Sequence, residues 1–256
     1  MSKLLILSPA PIARLTADRG TGALNLLSAD PKEVWADGPA GASARIDIDL
    51  GQVREVDTVF LGSLYRAADG ATWSITGGIE DAGETELFQG AVLRVPDAGG
   101  VTSEVGHAFW TGPAVVVRYL RLTVAQPAGS ARLLVGVVLV GRAFVSKYGQ
   151  EWGAGRKPID TGSATPLPSG GFAIVEGARK GSYSWTFGDL TVDEVDALYA
   201  ISLDRGETRP LLIVENPDRS TGLRWRLHYG KLTELKQYER RNPAQTRWEM
   251  TIEEWI

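Results

Sequence analysis

Between residues 44 and 145 apolar side chains recur with period two or in short runs rich in β-branched and aromatic residues. No helical spacing separates these runs, and this pattern constrains the chain more than any other feature. ARIDIDL (44–50) sets Ile46, Ile48 and Leu50 against Asp47 and Asp49. EVDTVFLGSLY (55–65) is apolar almost throughout, as a strand in a sandwich core would be. ATWSITGG (71–78), AVVVRYLRLTVA (114–125) and ARLLVGVVLVGRAFV (131–145) continue the series, and ADGPAGA, RAADGA, PDAGG and QPAGS supply the turns between them. Short strands closely spaced predict an all-β fold built on an antiparallel β-sandwich.

Beyond Gly141 the texture changes. Residues 142–182 are rich in Gly, Pro, Ser and Thr with little periodicity, and read as an irregular arm or linker. GSYSWTFGDL (181–190) is a strand with Tyr183, Trp185 and Phe187 on one face. A helix over about 191–204 follows. Thr191 and Glu194 form a capping box, and Val195, Leu198, Tyr199 and Leu203 form its apolar stripe. RPLLIVENP (209–217), LRWRLHYGKL (223–232) and TRWEMTIEEW (246–255) return to strand. The expected organisation is therefore a sandwich over 1–141, an arm over 142–182, and a second β-rich domain with one packed helix over 183–256.

The 256 residues carry a net charge of −4. That balance opposes a nucleic-acid partner, and the clusters Arg179/Lys180 and Arg240/Arg241 are too short to reverse it. There is no cysteine and there are only two histidines, His107 and His228, so neither thiolate chemistry nor a histidine-rich metal site can be built. Neither a GxSxG elbow nor a Gly-Lys-Ser/Thr phosphate loop occurs. The expectation is a protein without enzymatic activity and without a cofactor. The apolar run in MSKLLILSPAPIARL is too short to span a membrane or form a signal-peptide core; it reads as a first strand of a chain folded in a cytoplasm. Asp47 and Asp49 share one side of their strand and so are placed to act as a carboxylate pair. The alternation around them favours a solvated or turn-pinning role.

Several segments resemble the discoidin, or coagulation-factor type C, family of galactose-binding-like jelly-roll sandwiches. NLLSADPKEVWADG (25–38), RIDIDLG (45–51), VDTVFLG (56–62), DGATWSI (69–75) and VRYLRLTV (117–124) occur in that family's order, without its cysteines and with a shortened loop around 63–70. The resemblance implies ligand-binding loops at one end of the sandwich, with Trp35 and Trp73 in the core. Tyr65, Arg66, Asp69, His107 and Trp110 are then the candidate carbohydrate contacts. The second half, in YSWTFGDLTVDEVDALYAI, RPLLIVENP and YERRNPAQTRWEMTIEEW, resembles the C-terminal part of phage distal tail and tail-tip proteins. That likeness implies a structural virion component, assembled in the host cytoplasm into a ring of identical subunits. The ring would join tail tube to tip or hub, with the sandwich free to touch host surface glycans. Tyr148, Trp152 and Arg156, in the arm, are the candidate interface anchors. A stand-alone lectin-like protein, and an accessory subunit of a glycan-degrading enzyme, are the alternatives.

Overall fold

The computed structural model describes residues 3–38, 43–96, 102–219 and 221–256. In chain order the strands of the first part are β1 (Leu4–Leu7), β2 (Arg14–Ala17), β3 (Trp35–Ala36), β4 (Ala44–Tyr65), β5 (Thr72–Gly78), β6 (Thr85–Ala91), β7 (Leu93–Pro96), β8 (Thr102–Ala125), β9 (Leu134–Gly141) and β10 (Phe144–Val145). There follow β11 (Gly155–Asp160), β12 (Ser163–Pro166), β13 (Phe172–Val175), β14 (Arg179–Leu190), helix α1 (Val192–Arg205), β15 (Leu211–Glu215), β16 (Leu227–Thr233), β17 (Glu239–Asn242) and β18 (Gln245–Glu254). The chain divides into two compact units: residues 4–145 with 211–227, and residues 146–210 with 228–256 and Lys3. The all-β expectation with one α-helix holds.

In the larger unit two long strands serve two layers each. The first half of β4 pairs with β2 and with the second half of β8, at Leu15↔Ile48 and Ile48↔Leu120. Beyond β8 lie β5 and β6, through Ile75↔Leu122 and Ile75↔Phe88. The second half of β4 pairs with β9 and the first half of β8, at Phe60↔Leu139 and Phe60↔Phe109, with β3 outside β9 and β7 outside β8. The β4–β8 register slips between Asp49 and Arg54 and again between Val56 and Thr58. Such irregularities bend a strand and let it pass from one sheet to the other. Ile46, Ile48, Leu50, Val59, Leu61, Trp73, Leu120, Leu122 and Val135 fill the space between the layers, together with Trp35. The core positions expected for Trp35 and Trp73 are therefore occupied.

The continuous apolar run in the second half of β4 has a specific cause. Val59 and Leu61 face the sandwich core. Phe60, one residue out of phase, is equally buried, and its ring lies 5.1 Å from that of His107. Both faces of this layer are covered, which requires apolar residues at successive positions. β1 lies between β10 and β15 in the same unit, through Ile6↔Phe144 and Leu5↔Val214, and all four residues of β1 are buried. Residues 211–227 thus fold with the first part of the chain rather than forming a block with 183–256.

The smaller unit has the sheet order β16-β18-β14-β11, with β17 also against β18. Tyr183, Trp185 and Phe187 are buried on one side of β14, as the alternation requires. Trp248, Met250 and Ile252 of β18 are buried too, and Met250 pairs with Trp185. α1 carries the expected capping box: Thr191 Oγ1 accepts from the Glu194 amide while the Glu194 carboxylate accepts from the Thr191 amide. Its inward face differs from the sequence reading. Val195, Leu198 and Ser202 are buried, whereas Tyr199 and Leu203 are exposed. Positions 195, 198 and 202 keep the i, i+3, i+7 spacing, and the small Ser202 takes the place at which an apolar residue was expected. The segment 142–182 also differs from expectation, because it is not irregular. β11 pairs with β14 through six residue pairs, and β12 and β13 form a hairpin beyond it.

Candidate functional site

Asp47 and Asp49 lie on the outer face of the sandwich, and each meets a guanidinium. Arg121 Nε donates to Asp47 Oδ1 at 2.6 Å; Arg118 donates to both oxygens of Asp49, at 2.9 and 3.2 Å. The Gly51 amide donates to Asp49 Oδ1 at 2.8 Å, where Gly51 sits at φ 76°. The Arg118 hydrogen bond, then the Gly51 amide, holds the Asp49 carboxyl below its ordinary value. The pair is a cross-strand charge ladder beside the register slip of β4 between Asp49 and Arg54. Among the described residues no group of three or more His, Cys, Asp or Glu is placed to hold a metal ion.

The loops at one end of the sandwich form a built surface. Tyr65, the last residue of β4, pairs with Leu134, and Leu134 pairs in turn with Ala36, so the ends of β4, β9 and β3 lie in one row. Gln126 ties two of the loops: its Oε1 accepts from the Ala68 amide at 2.8 Å and its Nε2 donates to Ala131 O at 3.0 Å. The Val92 amide donates to Ala71 O, bringing in the β6–β7 junction. Arg132 donates to the backbone oxygens of Asp37 and Ala36, while Arg19 holds the Asp37 carboxylate through two bonds of 2.7 and 2.9 Å. On this frame Arg66 and Asp69 are exposed and Tyr65 is half-buried. Arg66 has φ 61° and makes no hydrogen bond or ion pair among the described residues. Three of the five expected carbohydrate contacts therefore sit on one turn.

The other two are not available. His107 is buried, its Nδ1 accepts from the Ser63 amide at 3.0 Å, and burial pushes its pKa well below the ordinary value, with Arg224 adding to the effect. Trp110 is buried in the sandwich core, paired across from Val59. β8 runs from Thr102 rather than from Ala114, so the segment taken as loop is strand, and its aromatic residues pack instead of projecting.

The candidate interface residues separate as well. Tyr148 and Trp152 line a cleft of about 320 Å³ with Gln150, Glu151, Gly188 and Asp189, and Trp152 is fully exposed at 101%. Arg156 is on β11, exposed, and outside the cleft. Glu151 lies 3.5 Å from Arg241 and 3.8 Å from Arg247, and Gln150 Oε1 accepts from Tyr183 at 2.5 Å. Glu151 and Asp189 were not singled out by sequence, since only the fold brings residue 189 beside residue 151.

No family model and no curated protein matches the chain. Three solved structures to which the chain is similar each match about half of it. A Ruminococcus gnavus GH29 fucosidase in complex with fucose matches at 15% identity and TM-score 0.39 over 51% of this chain, which spans only 25% of the fucosidase. CBM32-3 from a family 31 glycoside hydrolase of Clostridium perfringens matches at 16% identity and TM-score 0.43, covering 54% of this chain and 95% of that module. The CBM32 of AlyQ, in complex with 4,5-unsaturated mannuronic acid, matches at 21% identity and TM-score 0.39, covering 52% and 98%. The tail-tip expectation gains no support from these likenesses.

Proposed function

We propose that the chain is a non-catalytic glycan-binding protein that meets its ligand at the loop end of the sandwich. One observation carries this reading. The 65–70 turn is locked to the neighbouring loop by Gln126, and it presents an aromatic ring, an exposed guanidinium and an exposed carboxylate within five residues. Sugars are held by such sets: an aromatic face against the apolar side of a pyranose, and charged groups that bond several hydroxyls at once. Preorganised loops lower the entropic cost of binding.

A glycan array followed by calorimetric titration of the best ligand tests the reading. Arg66→Ala and Asp69→Ala should each weaken binding roughly tenfold or more, the size of one charged hydrogen bond, with the fold intact. A wild-type chain that binds nothing on the array, or variants that bind as it does, would reject it. The ring-forming tail-tip subunit stays as a second reading, favoured by the exposed apolar hairpin β12–β13. Its test is whether the chain co-purifies with tail tubes.

A further inference from the structure

The cleft lined by Tyr148, Gln150, Glu151, Trp152 and Asp189 belongs to the smaller unit, whereas the loop end of the sandwich belongs to the larger. Three local devices build it. β14 advances three residues from Phe187 to Leu190 while β18 advances two, from Trp248 to Thr246. Gly188 and Asp189 therefore form a bulge, the device by which a strand re-aims a side chain. A Cβ at Gly188 would collide with the Glu151 carboxylate, so glycine is what admits that carboxylate beside the strand. Gly149 at φ 74° and Gly153 at φ 106° bracket residues 150–152, and the Glu151 amide donates to Thr186 O at 2.8 Å, which ties this segment to β14.

The groups held in this way belong together chemically. Trp152 is fully exposed and Tyr148 half exposed. The Asp189 carboxylate makes no hydrogen bond or ion pair among the described residues. Gln150 accepts from the Tyr183 hydroxyl through Oε1, which leaves its Nε2 as a donor at the cleft. We propose that the cleft is a second saccharide site, which takes a neutral pyranose. The apolar C–H face of the sugar lies on the Trp152 indole, the carboxylates accept from its hydroxyls, and the Gln150 amide donates to a sugar oxygen. Charge decides the class of sugar. Glu151 and Asp189 repel an acidic one. A cation is disfavoured by Arg241 and Arg247, at 3.5 and 3.8 Å from Glu151, and by the Lys147 ammonium 5.1 Å from the centre of the Tyr148 ring. The volume of about 320 Å³ stands at the low end of ligand pockets, which suits a short saccharide. The inference does not rest on the loop-end site.

Proton–nitrogen correlation spectra of the full chain, titrated with sugars at millimolar concentration, test it. The Trp152 indole signal is the one lost in Trp152→Phe. It should shift and saturate with at least one of galactose, glucose, mannose and N-acetylglucosamine. Asp189→Ala should raise the Kd roughly tenfold or more, with the remaining signals as dispersed as in the wild type. Trp152→Ala should abolish the sugar-induced shifts of the Gly188 and Asp189 amides. The double variant Arg66→Ala with Asp69→Ala should leave the Trp152 titration unchanged, so the two sites succeed or fail separately. An indole signal that none of the four sugars moves overturns the proposal. So does tighter binding of glucuronate, glucosamine or tetramethylammonium than of every neutral sugar, or an Asp189→Ala chain that titrates as the wild type does.

Discussion

At the scale of single residues, the aspartate pair of β4 is partnered by guanidinium groups rather than left free for chemistry. Asp49 is held below its ordinary pKa by Arg118 and the Gly51 amide, so its ionised form is worth more folded than unfolded. That contribution is complete above the ordinary carboxylate range and disappears as pH falls through the depressed folded value. Asp49→Asn should therefore lower the melting temperature at pH 7, and the difference should vanish in acid. His107 acts in the same direction at higher pH. Its buried ring resists protonation, so the unfolded chain binds the extra proton and stability declines as pH falls below about 6.5, the ordinary histidine value. Melting curves of His107→Gln between pH 5 and 8 should show a flatter pH dependence than wild type. An equal slope in both proteins would show that His107 is not the titrating group.

At the scale of elements, α1 and β4 make the sharpest tests. Thr191 caps the helix through its side chain, and Thr191→Ala should cost about 1 kcal/mol in denaturant unfolding. Leu203→Ser, on the exposed side, should change stability by less than about 0.5 kcal/mol. The contrast is informative because sequence alone placed Leu203 in the apolar stripe. Helical spacing marks which residues could share a face, but several faces of α1 carry apolar residues, and only packing selects one. In β4, Phe60 is buried on the layer's second face, and Phe60→Ala should cost about 3–5 kcal/mol. A loss as small as that of a surface substitution would mean that this face is open.

The larger unit is not a contiguous stretch of chain. β1 needs β15 as a partner, and Leu211 to Val214 are all fully buried. A fragment ending at Val145 leaves β1 without that strand, and the backbone N–H and C=O groups on its β15 side without their ladder. Residues 4–145 expressed alone should give poorly dispersed amide spectra or aggregate, whereas the same piece fused through a flexible linker to 211–227 should recover dispersion. If the shorter piece folds by itself, the second contribution is dispensable.

What the sequence determined by itself is what local spacing encodes. Alternation marked Ile46, Ile48 and Leu50 as inward and their aspartates as outward. β-branched and aromatic density gave the strand-rich class, and Thr191 with Glu194 gave the start of α1. The loop turn with Tyr65, Arg66 and Asp69 was legible from its Ala-Asp-Gly punctuation. Tertiary structure alone decided the remainder, because burial depends on what arrives from elsewhere in the chain. His107 and Trp110 look like loop residues until β8 is seen to begin at Thr102 and pair with β4. Glu151 and Asp189 share a cleft only because the 148–152 segment lies beside β14, where the Glu151 amide donates to Thr186 O. The return of residues 211–227 to the first unit leaves no local mark, since a β-ladder is specified by two strands and the sequence between them is silent about the pairing.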